Sequence, residues 1–322
     1  MQITQDSYVI TKLLNTPGIG PAKIWSIYDY AQKLSVTIDE LCSNAANLSA
    51  FLKQTQIDAF LSDSETYSEA THKLEANSIK VLSIADSDYP KTIKETFNKK
   101  SPPILYLKGN YALLNEQSVS FCGSRKASLK GLEIADDCSY QLTEKNINIV
   151  SGYANGIDMA VHRAALQAKG TTTIVLAEGL FNFKIKDEIK DVWDWNRVLL
   201  ISQFGLHQAW SIHNAMSRNN VICGLGQAMI LIEAGITGGS MAAGKTCLEI
   251  KRPLFVPYVS DYSEAYSGNN LLIKQGAVKF GKDSGSHKAK LSGVLEVLNR
   301  EFLYTCFQLH IHKLKLSKQY LP

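Results

Sequence analysis

Three stretches near the N-terminus, SYVITKLL, AKIWSIYDYAQKL and SNAANLSAFLKQTQIDAFL, repeat apolar residues at the spacing of a helix face, with almost no β-branched alternation between them. They predict a small all-helical domain over residues 1–80. The character changes in VLSI, DSDYP, the lysines around Lys99 and Lys100, SPP and ILYLKG, so 81–117 is expected to be a connector containing a first strand. From Ser118 short apolar runs (SVSFCG, NIVSG, TTTIVLA, RVLLIS, AMILIEA, PLFVPY) alternate with segments long enough for helices. That alternation predicts a parallel sheet covered on both faces over 118–280. The remainder, 281–322, reads as a Gly/Ser/Lys linker (GKDSGSHKAK), one amphipathic helix through Leu291, Val294, Leu295, Leu298 and Phe302, and the basic tail LHIHKLKLSKQYLP.

The expected class is therefore α/β: a Rossmann-like, doubly wound, mainly parallel sheet behind a small helical domain. A length of 322 residues, 45% hydrophobic and 20% charged, suits a folded chain of about two domains. Six scattered cysteines without a CxxC pair suggest neither a zinc cluster nor a dithiol site, and fit a reduced, cytoplasmic setting. The start, MQITQDSYVI, does not look like a secretory signal, and no apolar run is long enough for a membrane span. The net charge of +4 does not by itself announce a polyanion partner. Its distribution is more telling: −3 over 1–80, +3 over 81–280 and +4 over 281–322.

Five segments carry candidate chemistry. GSRKASLKG (Gly123 to Gly131) follows a strand and opens a helix, so Gly123, Ser124, Arg125 and Ser128 could cradle a phosphate at the helix N-terminus; the plain alternative is a turn with a solvated Arg. SGYANGID places Gly152 and Gly156 in a tight turn, Asp158 as a helix cap and His162 four residues on, a pair that reads more readily as structure than as an acid/base couple. SRNNVICGL puts Ser217, Arg218 and Asn219 late in a helix, as directed donors to a phosphate or base edge or as an ordinary helix end. GGSMAAGKT, Gly239 and Ser240 through Gly244, Lys245 and Thr246, has P-loop spacing after a strand and before a helix, and raises an NTPase alternative. LLNTPGIGPAK has the glycine turn of a helix-hairpin-helix, but in an acidic domain, which favours a helix-packing role.

In this order, PGIG, DSDYP, PPILYLKG, GSRKAS, SGYANGID with His162, ISQF, SRNNVICGL, ILIEA, GGSM and SGNNLLIKQGA resemble the DprA/Smf family of DNA-processing proteins, over residues 7–280. The resemblance implies an extended Rossmann domain that binds single-stranded DNA, hands it to the RecA recombinase in transformation or recombination, and acts without catalysis or a cofactor. A homodimer is expected. The implied strand-binding residues are Gly123, Ser124, Arg125, Gly152, Gly156, Ser217, Arg218, Asn219, Gly239 and Ser240, with Ser128 as a further hydroxyl on the first loop. It also implies that GGSMAAGKT replaces the family's SGSL-type segment, which would put Lys245 on a helix. The chain departs from the family at Asn155 and Asn220, where basic residues are common, and at Ala243; the residues after Lys290 are too few for the winged helix that ends many members. A nucleotide-hydrolysing relative on the same scaffold, using Glu233 and Asp158, is the other alternative.

Overall fold

The computed structural model describes residues 2–259 and 264–300. Six helices lead: α1 (Gln5–Asn15), α2 (Pro21–Leu34), α3 (Ile38–Cys42), α4 (Ala45–Leu48), α5 (Gln54–Ser62) and α6 (Tyr67–Ala76). Side-chain caps fix several starts: Thr4 accepts from the Ser7 N–H, and Thr37 with Glu40 and Thr66 with Glu69 form capping boxes. The run SNAANLSAFLKQTQIDAFL divides into α4 and α5.

The chain then runs through β1 (Ile79–Ser83), α7 (Lys91–Phe97), β2 (Ile104–Gly109), β3 (Ser118–Cys122), α8 (Leu129–Thr143), β4 (Asn148–Ser151), α9 (Ile157–Gln167) and β5 (Thr172–Val175). It continues through α10 (Asp187–Lys190), β6 (Val198–Ser202), α11 (Ile212–Leu225), β7 (Ala228–Leu231), α12 (Gly239–Glu249), β8 (Leu254–Pro257), α13 (Ser267–Lys274) and β9 (Val278–Phe280). The strand order is β1-β2-β6-β5-β4-β3-β7-β8-β9. β6 through β9 in this order are parallel, as the alternation predicted, whereas β2 pairs antiparallel with β6 (Leu107↔Ile201) and β1 antiparallel with β2 (Val81↔Tyr106).

Two expectations are corrected here. The stretch 81–117 holds most of β1 and all of β2, so it extends the sheet rather than merely leading to it. β2 pairs with a strand about a hundred residues away, and local hydrophobic pattern carries no trace of such a partner. The expected linker at 281–290 is a hairpin: the Asp283 N–H donates to the Lys288 carbonyl, Lys282 bridges Ala289, and the Asp283 carboxylate accepts from the Gly285 and Ser286 N–H groups. Residues 292–300 are helical and bury Val294 and Leu298. Phe302, Cys306 and the tail LHIHKLKLSKQYLP lie outside the described residues.

One face of the sheet is covered by α8, α9 and the 292–300 helix, around Phe121, Cys138, Val161, Phe255 and Leu298. On the other, α7, α11, α12 and α13 pack on the strands, and this core runs without a break into Ile10, Leu13, Ile24 and Leu41 of the leading helices. Polar ties reinforce that seam. The Asp86 carboxylate of DSDYP accepts from the Thr4 and Ser7 hydroxyls, and Trp25 Nε1 donates to the Ser101 carbonyl. DSDYP and the following prolines are thus structural. Among the described residues no helix is long and apolar enough to cross a membrane.

Candidate nucleic-acid interface

The parallel part of the sheet reverses its direction of growth between β3 and β7, since β4, β5 and β6 lie to one side of β3 and β7, β8 and β9 to the other. Loops leaving two such strands diverge to opposite faces and open a crevice at their carboxyl ends, where α/β sheets hold ligands. A cleft of about 420 Å³ lies there. The loop after β3 supplies Gly123, Ser124 and Arg125, the start of α12 supplies Gly239 and Ser240, and α11 supplies Arg218 and Asn219. Seven of the residues singled out in the sequence thus converge on one site.

The remaining four are placed differently. Gly152 and Gly156 shape the floor rather than line it. A Cβ at 152 would overlap the Arg218 guanidinium and the Asp158 carboxylate; Gly156 has φ +79° and its missing Cβ leaves room for the Ser124 carbonyl. Ser217 lies on the other flank of α11, where its hydroxyl accepts from Gln203 Nε2 at 2.7 Å in a separate groove bordered by Ile19 and Lys100. Ser128 is the N-cap of α8, its Oγ accepting from the Gly131 N–H and donating to Glu233 Oε2 at 2.8 Å.

That last contact overturns one expectation. The Ser128 N–H also donates to the Glu233 carboxylate, which is 2% exposed, so α8 already has an anion at its N-terminus and has no vacancy there for a phosphate. The same bonds bind Glu233 to a structural task. Asp158 is not the cap of α9, which is Gly156; it accepts from the Ser151 hydroxyl at 3.0 Å and the Ala154 N–H at 3.2 Å and so holds the turn closed. The P-loop reading also fails. Residues 239–249 are one continuous helix rather than a loop around a phosphate, Lys245 is exposed along it, and Gly244 lets the helix pack closely on Leu272 and Leu231.

The cleft sets Arg125 and Arg218 against the Asp158 and Glu233 carboxylates, which are already hydrogen-bonded within the protein, and has an apolar rim. Arg125 is exposed at its mouth with Cζ 5.6 Å from the Trp210 ring centroid. Arg218 lies beneath at 6% exposure; Nη1 donates to the Val175 carbonyl at 3.0 Å, while buried Nε has no partner. Burial pushes its pKa down and Asp158 pulls it back up. The N-cap of α12 is Gly238, which has no side chain to cap the helix, so its first N–H groups are left without a side-chain partner where Gly239 and Ser240 line the cleft; the Ser240 hydroxyl donates to the Gly123 carbonyl. Trp210, Ile212, Met216 and Ile236 are exposed around the opening, Ile212 at 73%. Sequence reasoning missed these four; for Trp210, Ile212 and Met216 the available signal was HQAWSIHNAM, a tryptophan in a polar loop just before a helix with apolar residues on its outer face. At Asn155, where the resemblance led one to expect a cation, the Lys186 ammonium donates to the side-chain oxygen at 2.8 Å, so a positive charge reaches that position from a distant segment. Among the described residues no cluster of His, Cys, Asp and Glu is arranged to hold a metal ion.

His162 is fully buried beneath the floor, with Nδ1 2.6 Å from the Thr172 hydroxyl and Nε2 2.5 Å from the Gly152 carbonyl. Burial lowers its pKa from 6.5 to about 4, against the opposing Gly152 carbonyl and Asp158. The folded state thus holds the ring neutral. The unfolded chain takes up a proton first as pH falls, so this contribution is full above pH 6.5 and is lost toward pH 4, by about 3 kcal/mol in all. Urea unfolding between pH 7 and 4.5 should therefore show a steeper loss of stability for the wild type than for His162→Gln; parallel curves would remove His162 as the cause.

Comparison with known proteins agrees with this fold. DNA processing protein DprA of Streptococcus pneumoniae is 34% identical over 206 residues, 63% of this chain and 72% of that protein. The X-ray structure of the S. pneumoniae protein superposes with a TM-score of 0.71 at 27% identity, covering 87% of this chain and 95% of that one. DNA processing protein A of Helicobacter pylori, described for its single-stranded DNA binding mode, shares the fold at a TM-score of 0.56 and 20% identity, covering 69% and 95% of the two chains. The family model for DNA recombination-mediator protein A matches residues 80–286, from the first sheet strand through the hairpin beyond β9. The chain belongs to the DNA recombination-mediator protein A family.

Proposed function

We propose that this protein binds single-stranded DNA in the switch-point cleft and presents it to a RecA-type recombinase, as a homodimer in the cytoplasm, without making or breaking a covalent bond. The observation that carries the reading is the pairing at the mouth of the cleft, the Arg125 guanidinium against the exposed face of Trp210. A fixed cation beside an aromatic face suits a strand whose phosphates and unstacked bases are both accessible, which a duplex does not present. Arg218 at the base of the cleft and the uncapped start of α12 add positive charge and donors with little side-chain entropy to lose. A recombinase partner is in keeping with the family's description as a recombination mediator, and the H. pylori protein of the same fold is described for its single-stranded DNA binding mode. Binding is favoured over catalysis because Glu233 and Asp158, the carboxylates nearest the cleft, are each held by two or more hydrogen bonds within the protein.

The test is a gel shift with single- and double-stranded oligonucleotides at two salt concentrations, with and without ATP. Single strands should be retained preferentially, salt should weaken binding steeply, and ATP should change nothing. Lys245→Ala should behave as wild type in every lane. A requirement for ATP, or loss of binding in Lys245→Ala, would contradict the reading; equal retention of duplex would contradict its single-strand part.

A further inference from the structure

A second cleft, of about 580 Å³, lies along the same carboxyl-end edge of the sheet, between α8, the ends of β8 and β9, and the 282–289 hairpin. We propose that it is a second contact site for the DNA strand, entered after the strand leaves the switch-point cleft. The inference rests on the single-strand reading above and extends its footprint.

Three observations carry it. Two cation–aromatic pairs sit at its border: Tyr258 of its lining has the neighbouring Lys279 Nζ 5.0 Å from its ring centroid, and Lys288 of its lining has Nζ 5.9 Å from the centroid of the neighbouring Tyr140. Both rings are open to solvent, at 51% and 45% exposure. Alternating charge and aromatic face is the composition that holds a sugar-phosphate backbone while its bases stack. The charge balance also favours an anion. Lys130, Lys282 and Lys288 line the cleft with His287, against Glu133 and Asp137, and the Asp137 carboxylate is taken up by the Ala289 N–H and by Gln141 Nε2. Finally, one segment of chain links the two clefts. The loop that presents Arg125 runs through Lys126 directly to Lys130 at the start of α8, and β8 and β9 are the second and third strands beyond β3 in the sheet. At about 4.8 Å per strand, the two sites are about 10–14 Å apart along the edge.

The hairpin explains why a segment with linker composition is ordered at this spot. Asp283 draws the Gly285 and Ser286 N–H groups into a tight turn, and His287 takes φ +57°, so the Lys282 and Lys288 ends are brought together across the cleft. The basic stretch GKDSGSHKAK, which the switch-point cleft does not use, thereby acquires a role.

The experiment is fluorescence anisotropy of the full chain with labelled oligothymidylates of about 6 and about 20 nucleotides. The variant is Tyr258→Ser with Lys282→Gln and Lys288→Gln, all at exposed positions; equal melting temperature confirms its fold. The expected result is unchanged affinity for the short strand, at least about tenfold weaker binding of the long one, and a long-strand salt slope shallower by about 1.4 for two lost phosphate contacts. Unchanged long-strand affinity and slope would overturn the second site, as would equal weakening of both lengths. Arg125→Ala in parallel keeps the two claims apart: if it leaves short-strand binding intact, the switch-point reading fails, whatever the triple variant does.

Discussion

Gly152→Ala should lower stability by about 3 kcal/mol and abolish binding in the cleft, although it adds one methyl group. The missing Cβ lies where the Arg218 guanidinium and the Asp158 carboxylate approach each other, and both side chains are buried. Arg218 must move to admit the methyl, which breaks its bond to the Val175 carbonyl, and the turn that Asp158 holds closed opens with it. Gly235→Ala is the control: its added methyl meets nothing closer than the Thr237 carbonyl at 4.0 Å, so stability should change by no more than about 0.5 kcal/mol. Urea denaturation of the two variants reads this directly. Equal midpoints would mean that the floor of the cleft is not packed as described.

Arg125→Ala and Trp210→Ala carry the second large effect. A charge-assisted bond to phosphate contributes about 1.5–3 kcal/mol and a stacked base about 1–3 kcal/mol, so each substitution should weaken oligonucleotide binding roughly ten- to a hundredfold. The two effects should not add. Arg125 rests on the Trp210 ring, so loss of the ring also frees the guanidinium, and the double variant should fall short of the product of the singles. Arg125→Ala should reduce the salt slope by about 0.7, whereas Trp210→Ala should leave it nearly unchanged, since stacking releases no counterions. Titrations at several salt concentrations measure both quantities, and identical slopes for the two variants would refute the division of labour.

The parallel sheet was legible because each of its longer strands is a compact apolar run between turn residues, and because the helices between them carry one apolar face. What escaped depends on distant partners. The antiparallel pairing of β2 with β6 and the three-residue β9 leave no local signature, and GKDSGSHKAK has linker composition yet folds because Asp283 can cap its own turn. At the site, Gly123, Ser124, Arg125, Gly239 and Ser240 were readable from strand-loop-helix context, since such loops converge at strand ends whatever the rest of the fold. Their orientation was not. Ser217 and Arg218 are adjacent in sequence, but neighbouring positions on a helix point about 100° apart, so one faces the cleft and the other the groove behind it. Glu233 enters as a catalyst only in the nucleotide-hydrolysing alternative, and its bond to Ser128, 105 residues away, has no local signature that would have set that alternative aside. By spacing alone the GKT pattern pointed to a P-loop, because spacing does not distinguish a loop from a helix that contains two small residues for packing; the family resemblance put Lys245 on a helix, and it lies on one.

The central claim is that a single strand lies in the switch-point cleft with a base against Trp210. Photocrosslinking of an oligonucleotide carrying 5-iododeoxyuridine, followed by peptide mapping, tests it most directly. The account predicts a principal crosslink at Trp210 that disappears in Trp210→Ala. A principal crosslink in the PGIG turn between α1 and α2, with none at Trp210, would contradict it.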